Sequence, residues 1–133
     1  MLNRIVAHFQ DGKLLRGHTV DFFPARERFH LVPVEPAGEG RAVEVRVADL
    51  KGLFFVKDLK GDGMRKKSNL FDPNDHGLGR RVRVTFNDGE VLQGFTQVYQ
   101  PGRTGFFLVP ADKHANTERC YVVATATQEV QIL

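Results

Sequence analysis

The sequence has few of the residues that form redox or nucleophilic sites. Its 133 residues include one cysteine, one serine and no tryptophan. A single cysteine excludes an intrachain disulfide, and Cys120 lies in an apolar stretch, which predicts a buried, unreactive thiol. Ser68 lies in a polar segment with no base spaced beside it. We therefore predict that the protein is not an enzyme.

Long apolar runs are also absent. Even a strongly apolar run, such as residues 53–56, is far shorter than the roughly 20 residues that a membrane-spanning helix needs. The N-terminal residues alternate in polarity instead of forming the apolar core of an export signal. We therefore expect a cytoplasmic protein with no membrane partner. The net charge of +3 is a mild excess that permits a polyanionic partner without requiring one.

An internal repeat organises the chain. Residues 6–33 align without a gap with residues 83–110, at an offset of 77, and 12 of the 28 pairs are identical. After a one-residue slip the tails also match, as in Phe54 with Val130. Such agreement indicates a duplicated unit of roughly 55 residues, which is small for an independent domain.

The repeat divides the chain into three segments. We predict one small β-barrel at residues 1–57, a linker at 58–79 and a second small β-barrel at 80–133. Each barrel has five short strands and one helical turn before the last strand. The two barrels are predicted to pack as a pseudo-twofold pair, which gives an all-β fold.

The first hairpin of each copy has a recognisable turn. Apolar residues alternate on both sides of Asp11 and Gly12, which predicts a three-residue loop with glycine in the left-handed region and Phe9 paired with Leu15. Glycine inside a strand marks a bend or a close backbone approach, which we predict at Gly17 and at its equivalent in the second copy, Gly94.

Several of these positions carry a resemblance. The unit that runs through Phe9, Asp11, Gly12, Leu15 and Gly17 resembles the first motif of Sm-like small barrels, within the wider Src-homology-type barrel class. The tandem arrangement is similar to a bacterial domain family of unknown function, found alone or beside PilZ and receiver signalling domains. The resemblance implies a fold and a signalling context, but no specific activity.

The candidate binding residues are basic. Arg26 and Arg103 occupy equivalent loop positions, each two residues after a proline, where a guanidinium group binds an anion or fixes the loop. The remaining basic candidates cluster in the linker and at the start of the second barrel: Arg65, Lys66, Lys67, Arg80 and Arg81.

Aromatic and histidine residues complete the candidates. Phe23, Phe95 and Phe107 are predicted to face out of their barrels and to be buried between them. His8 and His18 are predicted to be diagonal neighbours on the outer face. They lack the spacing of a metal site, so we predict no metal and no cofactor.

These features leave three functions open. The first is a non-enzymatic binding or regulatory module that recognises a protein in bacterial signalling. The second is a nucleic-acid-binding tandem barrel that uses the basic linker. The third is a sensor that binds a small ligand or nucleotide between the barrels. An open strand edge or an exposed apolar patch favours the first, and a continuous basic surface favours the second.

Overall fold

The computed structural model describes residues 2–34, 41–60, 68–75, 77 and 79–133. The prediction of an all-β fold is confirmed. The first half contains β1 (Asn3–Phe9), β2 (Leu14–Thr19), β3 (Arg28–Pro33), β4 (Val43–Arg46), a 3₁₀ turn (Val47–Asp49) and β5 (Leu50–Val56). The second half contains β6 (Arg80–Phe86), β7 (Val91–Thr96), β8 (Gly105–Pro110), β9 (Thr117–Val123), a 3₁₀ turn (Ala124–Ala126) and β10 (Thr127–Ile132). No helix among the described residues is long and apolar enough to cross a membrane.

The ten strands form one continuous antiparallel sheet. Its order is β10-β6-β7-β8-β9-β5-β1-β2-β3-β4. In each half the last strand pairs with the first, so β5 lies beside β1 and β10 lies beside β6. The halves join where β5 pairs with β9, and we call this pair the seam. β4 and β10 are left at the two ends of the sheet.

The position of β5 follows from its composition. All seven of its residues are buried. Leu53 and Phe55 pack into the core of the first half, whereas Phe54 and Val56 pack into the core of the second half. A strand that is apolar on both faces needs cover on both faces. β5 therefore lies between two cores.

The prediction of two small β-barrels that pack as a pseudo-twofold pair is not confirmed, because the ten strands form one continuous, open sheet. In the repeat, β10 and β4 are the equivalents of β5 and β9, so a twofold relation would also pair β10 with β4. These strands end opposite sides of the sheet instead. The physical reason is that β10 has the polar residues Glu129 and Gln131 at the positions of Gly52 and Phe54, so it lacks the second apolar face of β5.

The strand pairs of the second half follow those of the first at one offset. Ile5 pairs with Phe55, and Val82 pairs with Ile132, and each residue of the second pair lies 77 positions after its equivalent (5 + 77 = 82, 55 + 77 = 132). The two 3₁₀ turns differ by the same 77 residues. The predicted one-residue slip in the tails is therefore wrong.

The predicted register of the first hairpin is also wrong. The structure pairs Leu15 with Ala7, whereas the prediction pairs it with Phe9. The three-residue loop is residues 10–12, with Gly12 last at a φ of +95°. A three-residue hairpin loop requires its left-handed residue at this last position, which fixes the register. The shift of two residues keeps every side chain on its predicted face, and the second hairpin shows the same shift.

Gly17 and Gly94 lie where the second and third strands of each half approach most closely. A β-carbon on Gly17 would lie 2.2 Å from the carbonyl oxygen of Val32, and one on Gly94 would lie 2.1 Å from that of Val109. The prediction of close backbone approach is confirmed at both positions.

The three phenylalanines predicted to lie between the halves have different environments. Phe107, from the second half, packs against the core of the first half. Phe95 is buried, with its ring centroid 5.3 Å from that of Phe71, which precedes β6. Phe23 is half exposed. The prediction is confirmed for Phe107, and it is wrong for Phe23.

We expect Gly17→Ala and Gly94→Ala each to lower the free energy of unfolding by about 2–3 kcal/mol, because the new methyl group must push β2 from β3 or β7 from β8. Urea denaturation measures this loss. Gly12→Ala is the control, since its β-carbon meets nothing within 4 Å and only its positive φ is strained. A smaller loss for Gly17→Ala than for Gly12→Ala would contradict the close-approach argument.

Candidate functional site

The seam holds the two halves together through both of its faces. Tyr121 and Val123 of β9 contribute to the core of the first half, and Cys120 and Val122 contribute to that of the second. β5 pairs with β9 along the edge that faces away from β8, so this edge of β9 is occupied.

The charged side chain of Lys51 reaches from the first half to the second. Lys51 of β5 lies against the β6–β7 hairpin, with Nζ 2.7 Å from Oδ2 of Asp88 and 3.1 Å from Oε1 of Glu90. The same Nζ lies 4.7 Å from the centroid of the Phe86 ring. We call Asp88, Glu90 and Phe86, which surround the Lys51 ammonium group, the ammonium site of the second half. The Lys51 side chain is only 11% exposed, so two carboxylates and a ring replace its hydration.

The pKa values follow this geometry. Burial lowers the pKa of Lys51, but its hydrogen bonds to Asp88 and Glu90 outweigh burial and raise it above the usual value. The hydrogen bond from Lys51 holds the pKa of Asp88 below its usual value. Both shifts favour the charged pair near neutral pH.

The first half has an open cleft at the equivalent place. It lies between the β1–β2 hairpin and the first 3₁₀ turn, with a volume of about 390 Å³. We call it the hairpin cleft. It is lined by Phe9, Gln10, Asp11, Lys13, Ala48 and Asp49.

Next to the hairpin cleft runs the outer edge of β4. The N–H of Val47 donates to the carbonyl of Glu27 at 2.9 Å, so this residue directs its backbone groups toward β3. Direction alternates along a strand, so Val45 also bonds toward β3, while Glu44 and Arg46 direct their backbone groups away from it. The described strands place no partner on that side of β4.

The side chains of β4 alternate between the core of the first half and the outer face. Val45 is buried in the core of the first half, and Val43 is 40% exposed at the rim. Glu44 and Arg46 are exposed on the outer face. Their equivalents in β9, Tyr121 and Val123, are buried.

A second cleft, of about 320 Å³, lies beside β8 and β9 in the second half. Its lining combines the buried Phe95 with charged residues of both signs, including Lys57 and Glu118. Lys113 and Asp75, which also line it, form an ion pair with the two charged atoms 3.7 Å apart.

The arginines predicted in the loops contact their own loops. The Arg26 guanidinium lies 4.8 Å from the centroid of the Phe23 ring. Arg103 Nε donates to Oε1 of Gln100 at 2.8 Å. These contacts are those of the loop-fixing role that the sequence also allowed.

The basic residues predicted near the linker are only partly described. Arg65, Lys66 and Lys67 lie outside the described residues. The Arg81 guanidinium lies 4.8 Å from the ring centroid of Phe71. Arg80 pairs with Thr96 at the start of β6 and is exposed.

The histidines do not lie as predicted. His18 pairs with Arg4 and not near His8, because of the hairpin register described above. His30 Nδ1 lies 2.7 Å from Oδ2 of Asp21. The described residues contain no group of three or more histidine, cysteine or acidic side chains able to hold a metal ion.

Cys120 is fully buried in the seam. Burial raises the pKa of its thiol, which keeps the thiol protonated and unreactive. The prediction that Cys120 is buried is confirmed.

Comparison with known proteins identifies the family. The model of DUF6982, described as a family of unknown function, matches residues 1–133. The chain belongs to this family. Neither a curated protein nor a solved structure matches this DUF6982 chain.

Sequence reasoning missed Lys51, whose carboxylate partners lie 37 and 39 residues away. It also missed the open edge of β4. One available signal was the run at residues 53–56, which is too apolar for a strand that covers only one core.

We expect Lys51→Met to lower the free energy of unfolding at pH 7 by about 1 kcal/mol, since the exposed carboxylates keep much of their hydration. The pKa of Asp88 is depressed, so its contribution is present at neutral pH and is lost as the pH falls from about 4 through the folded-state pKa.

The difference between Lys51→Met and the parent chain should therefore shrink in acid. Denaturant titrations at pH 7 and pH 2.5 measure it. Lys60→Met, at an exposed lysine, is the control and should change stability at neither pH. A difference independent of pH would show that Lys51 acts only through packing.

Proposed function

We propose that this chain is a non-enzymatic protein-interaction module whose β4 edge accepts an extended segment of a partner as an added strand. The observation that carries the proposal is the unequal use of two equivalent edges. The edge of β9 is occupied by β5, whereas the equivalent edge of β4 has no strand beside it among the described residues. Open edges are templates for strand addition.

The chain supplies an internal example of the proposed contact. β5 pairs with β9 over Gly52–Val122, Leu53–Tyr121 and Phe54–Cys120. At an offset of 77, the corresponding positions of β4 are Val45, Glu44 and Val43. A partner strand in the same register meets the outward backbone groups of Glu44 and Arg46, and it covers the exposed part of Val43.

A second copy of this chain fits the edge less well than a different protein. The strand equivalent to β5 is β10, which has Glu129 where β5 has Gly52 and Gln131 where β5 has Phe54. Pairing β10 with β4 brings Glu129 opposite Val45 and Val130 opposite Glu44. Glu44 already pairs with Arg28, with Nη1 2.7 Å from Oε1, but Glu129 gains no cationic partner, and burying an unpaired charge is costly.

The finer parts of the proposal rest on resemblance. They are a Sm-like course of each five-stranded half and a bacterial signalling context, whereas the proposed cytoplasmic location rests on the single cysteine. The nucleic-acid alternative draws its support from Arg65, Lys66 and Lys67, and the sensor alternative from an opening between the halves. The two clefts described above lie at a hairpin and beside β8, and each contains both charge signs.

The test uses a fluorescent peptide with the sequence of β5, Leu50–Val56, extended by uncharged solubilising tails. We expect it to bind with a dissociation constant of about 10–100 μM, measured by fluorescence anisotropy. In ¹⁵N spectra the amides of Glu44 and Arg46 should shift.

A matched pair of variants separates the contribution of the Glu44 backbone N–H from that of its side chain. Glu44→Pro removes an N–H that points to the open edge, and edge strands tolerate proline there. Glu44→Ala removes the same side chain and keeps the N–H. We expect Glu44→Pro to abolish binding and Glu44→Ala to retain it, with both variants folded by circular dichroism.

Three results would overturn this proposal. They are an absence of peptide binding, equal binding by Glu44→Pro, and retention of single-stranded RNA in place of the peptide at low salt. Concentration-dependent dimerisation that Glu44→Pro removes, seen by analytical ultracentrifugation, would assign the edge to a second copy instead.

A further inference from the structure

We infer that the hairpin cleft is a receptor for a primary ammonium group, supplied by a lysine of the segment that pairs with β4. This inference rests on the proposed function and adds the chemistry of the partner. It comes from comparing the hairpin cleft with the ammonium site of the second half, since the two lie 77 residues apart in the repeat.

In the second half, the strand added to β9 brings its own lysine. Lys51 stands one residue before Gly52, which pairs with Val122. The pairing of β5 with β1 is irregular at Lys51, because His8 pairs with Gly52 and Phe9 pairs with Leu50. The register therefore gives Lys51 no partner residue in β1. The lysine reaches Asp88 and Glu90 in the adjacent hairpin.

The hairpin of the first half has the same turn chemistry. Asp11 Oδ1 accepts the N–H of Lys13 at 2.9 Å, as Asp88 Oδ1 accepts the N–H of Glu90 at 2.9 Å. Asp88 receives Lys51 on its other oxygen, Oδ2. Asp11 lines the hairpin cleft at the equivalent position.

The aromatic floor is also repeated. Phe9 lines the hairpin cleft as Phe86 lies under Lys51. In the first half the nearest ammonium group is that of Lys13, at 5.8 Å from the Phe9 ring centroid, against 4.7 Å for Lys51 and Phe86. Lys13 is exposed, and the cleft remains open beside it.

The hairpin cleft and the ammonium site of the second half differ in the charges of their residues. Lys13 replaces Glu90, while Asp49 in the 3₁₀ turn replaces Ala126. The hairpin cleft therefore has two carboxylates, as the second half does, and additionally the positive charge of Lys13. An incoming lysine gains the attraction of Asp11 and Asp49, and Lys13 opposes part of it. We therefore expect the cleft to bind its ammonium group more weakly than the second half binds Lys51.

None of the described strands brings a lysine of this chain to the cleft. The equivalent of Lys51 in β10 is Gln128, which is uncharged, and β10 lies at the far end of the sheet from β4. The partner segment is therefore the proposed source of the lysine.

The experiment compares three forms of the β5 peptide described above. They carry lysine, norleucine or glutamine at the position of Lys51, and they leave the rest of the strand unchanged. We expect the norleucine and glutamine peptides to bind about 5- to 20-fold more weakly than the lysine peptide at low salt. The preference should shrink as the salt concentration rises.

Variants of the protein locate the effect. Asp11→Asn and Asp49→Asn should each reduce the preference for the lysine peptide about 3- to 5-fold. Lys13→Glu recreates the charge of Glu90 and should strengthen lysine-peptide binding about 5-fold. Lys60→Glu changes the net charge equally at a residue outside the cleft and should leave the preference unchanged.

The outcomes separate this inference from the proposed function. If all three peptides bind equally and Glu44→Pro still abolishes binding, the edge is a docking site and the ammonium receptor is refuted. If no peptide binds, the proposed function fails and the inference falls with it. A lysine preference that Lys60→Glu alters as much as Lys13→Glu would show a general charge effect and would also refute the receptor.

Discussion

The structure depends on the pairing of β5 with β9. The side chains of this pair alternate between the two cores, with Leu53 and Tyr121 on one side and Phe54 and Cys120 on the other. Val6 of β1 and Phe107 of β8 extend the same wall, since each packs against the core of the other half. The seam is what converts two units of marginal size into a single sheet with two cores.

The same pairing makes the two halves unequal. It occupies one strand edge of each half, on β5 and β9, and the two remaining edges, on β4 and β10, lie at the ends of the sheet. The sequences have diverged in accordance with these positions. Buried Tyr121 and Val123 of β9 correspond to exposed Glu44 and Arg46 of β4, and buried Phe54 corresponds to exposed Gln131. Polar residues of this kind limit indiscriminate association at an open edge while leaving its backbone groups accessible.

Local structure could be predicted from the sequence because local chemistry determines it. Gly12 fixes a turn by its positive φ, and Gly17 permits a backbone contact that no side chain would allow. The hairpin register was mispredicted by two residues because alternation specifies the face of a residue but not its partner. The turn geometry at Gly12 supplied the missing constraint.

The seam and the candidate site could not be predicted in the same way. The pairing of β5 with β9 joins residues about 65 positions apart, as in Phe54 with Cys120, and hydrophobic periodicity contains no information about which distant edge a strand will choose. The Lys51 contacts depend on that choice.

The seam also makes the two interiors depend on each other. The first core takes Tyr121 and Val123 from the second copy, and the second core takes Phe54 and Val56 from the first. Neither copy now contains all the side chains of its own interior. A chain reduced to one copy would therefore lack side chains of its own core, and a substitution in the seam acts on both interiors.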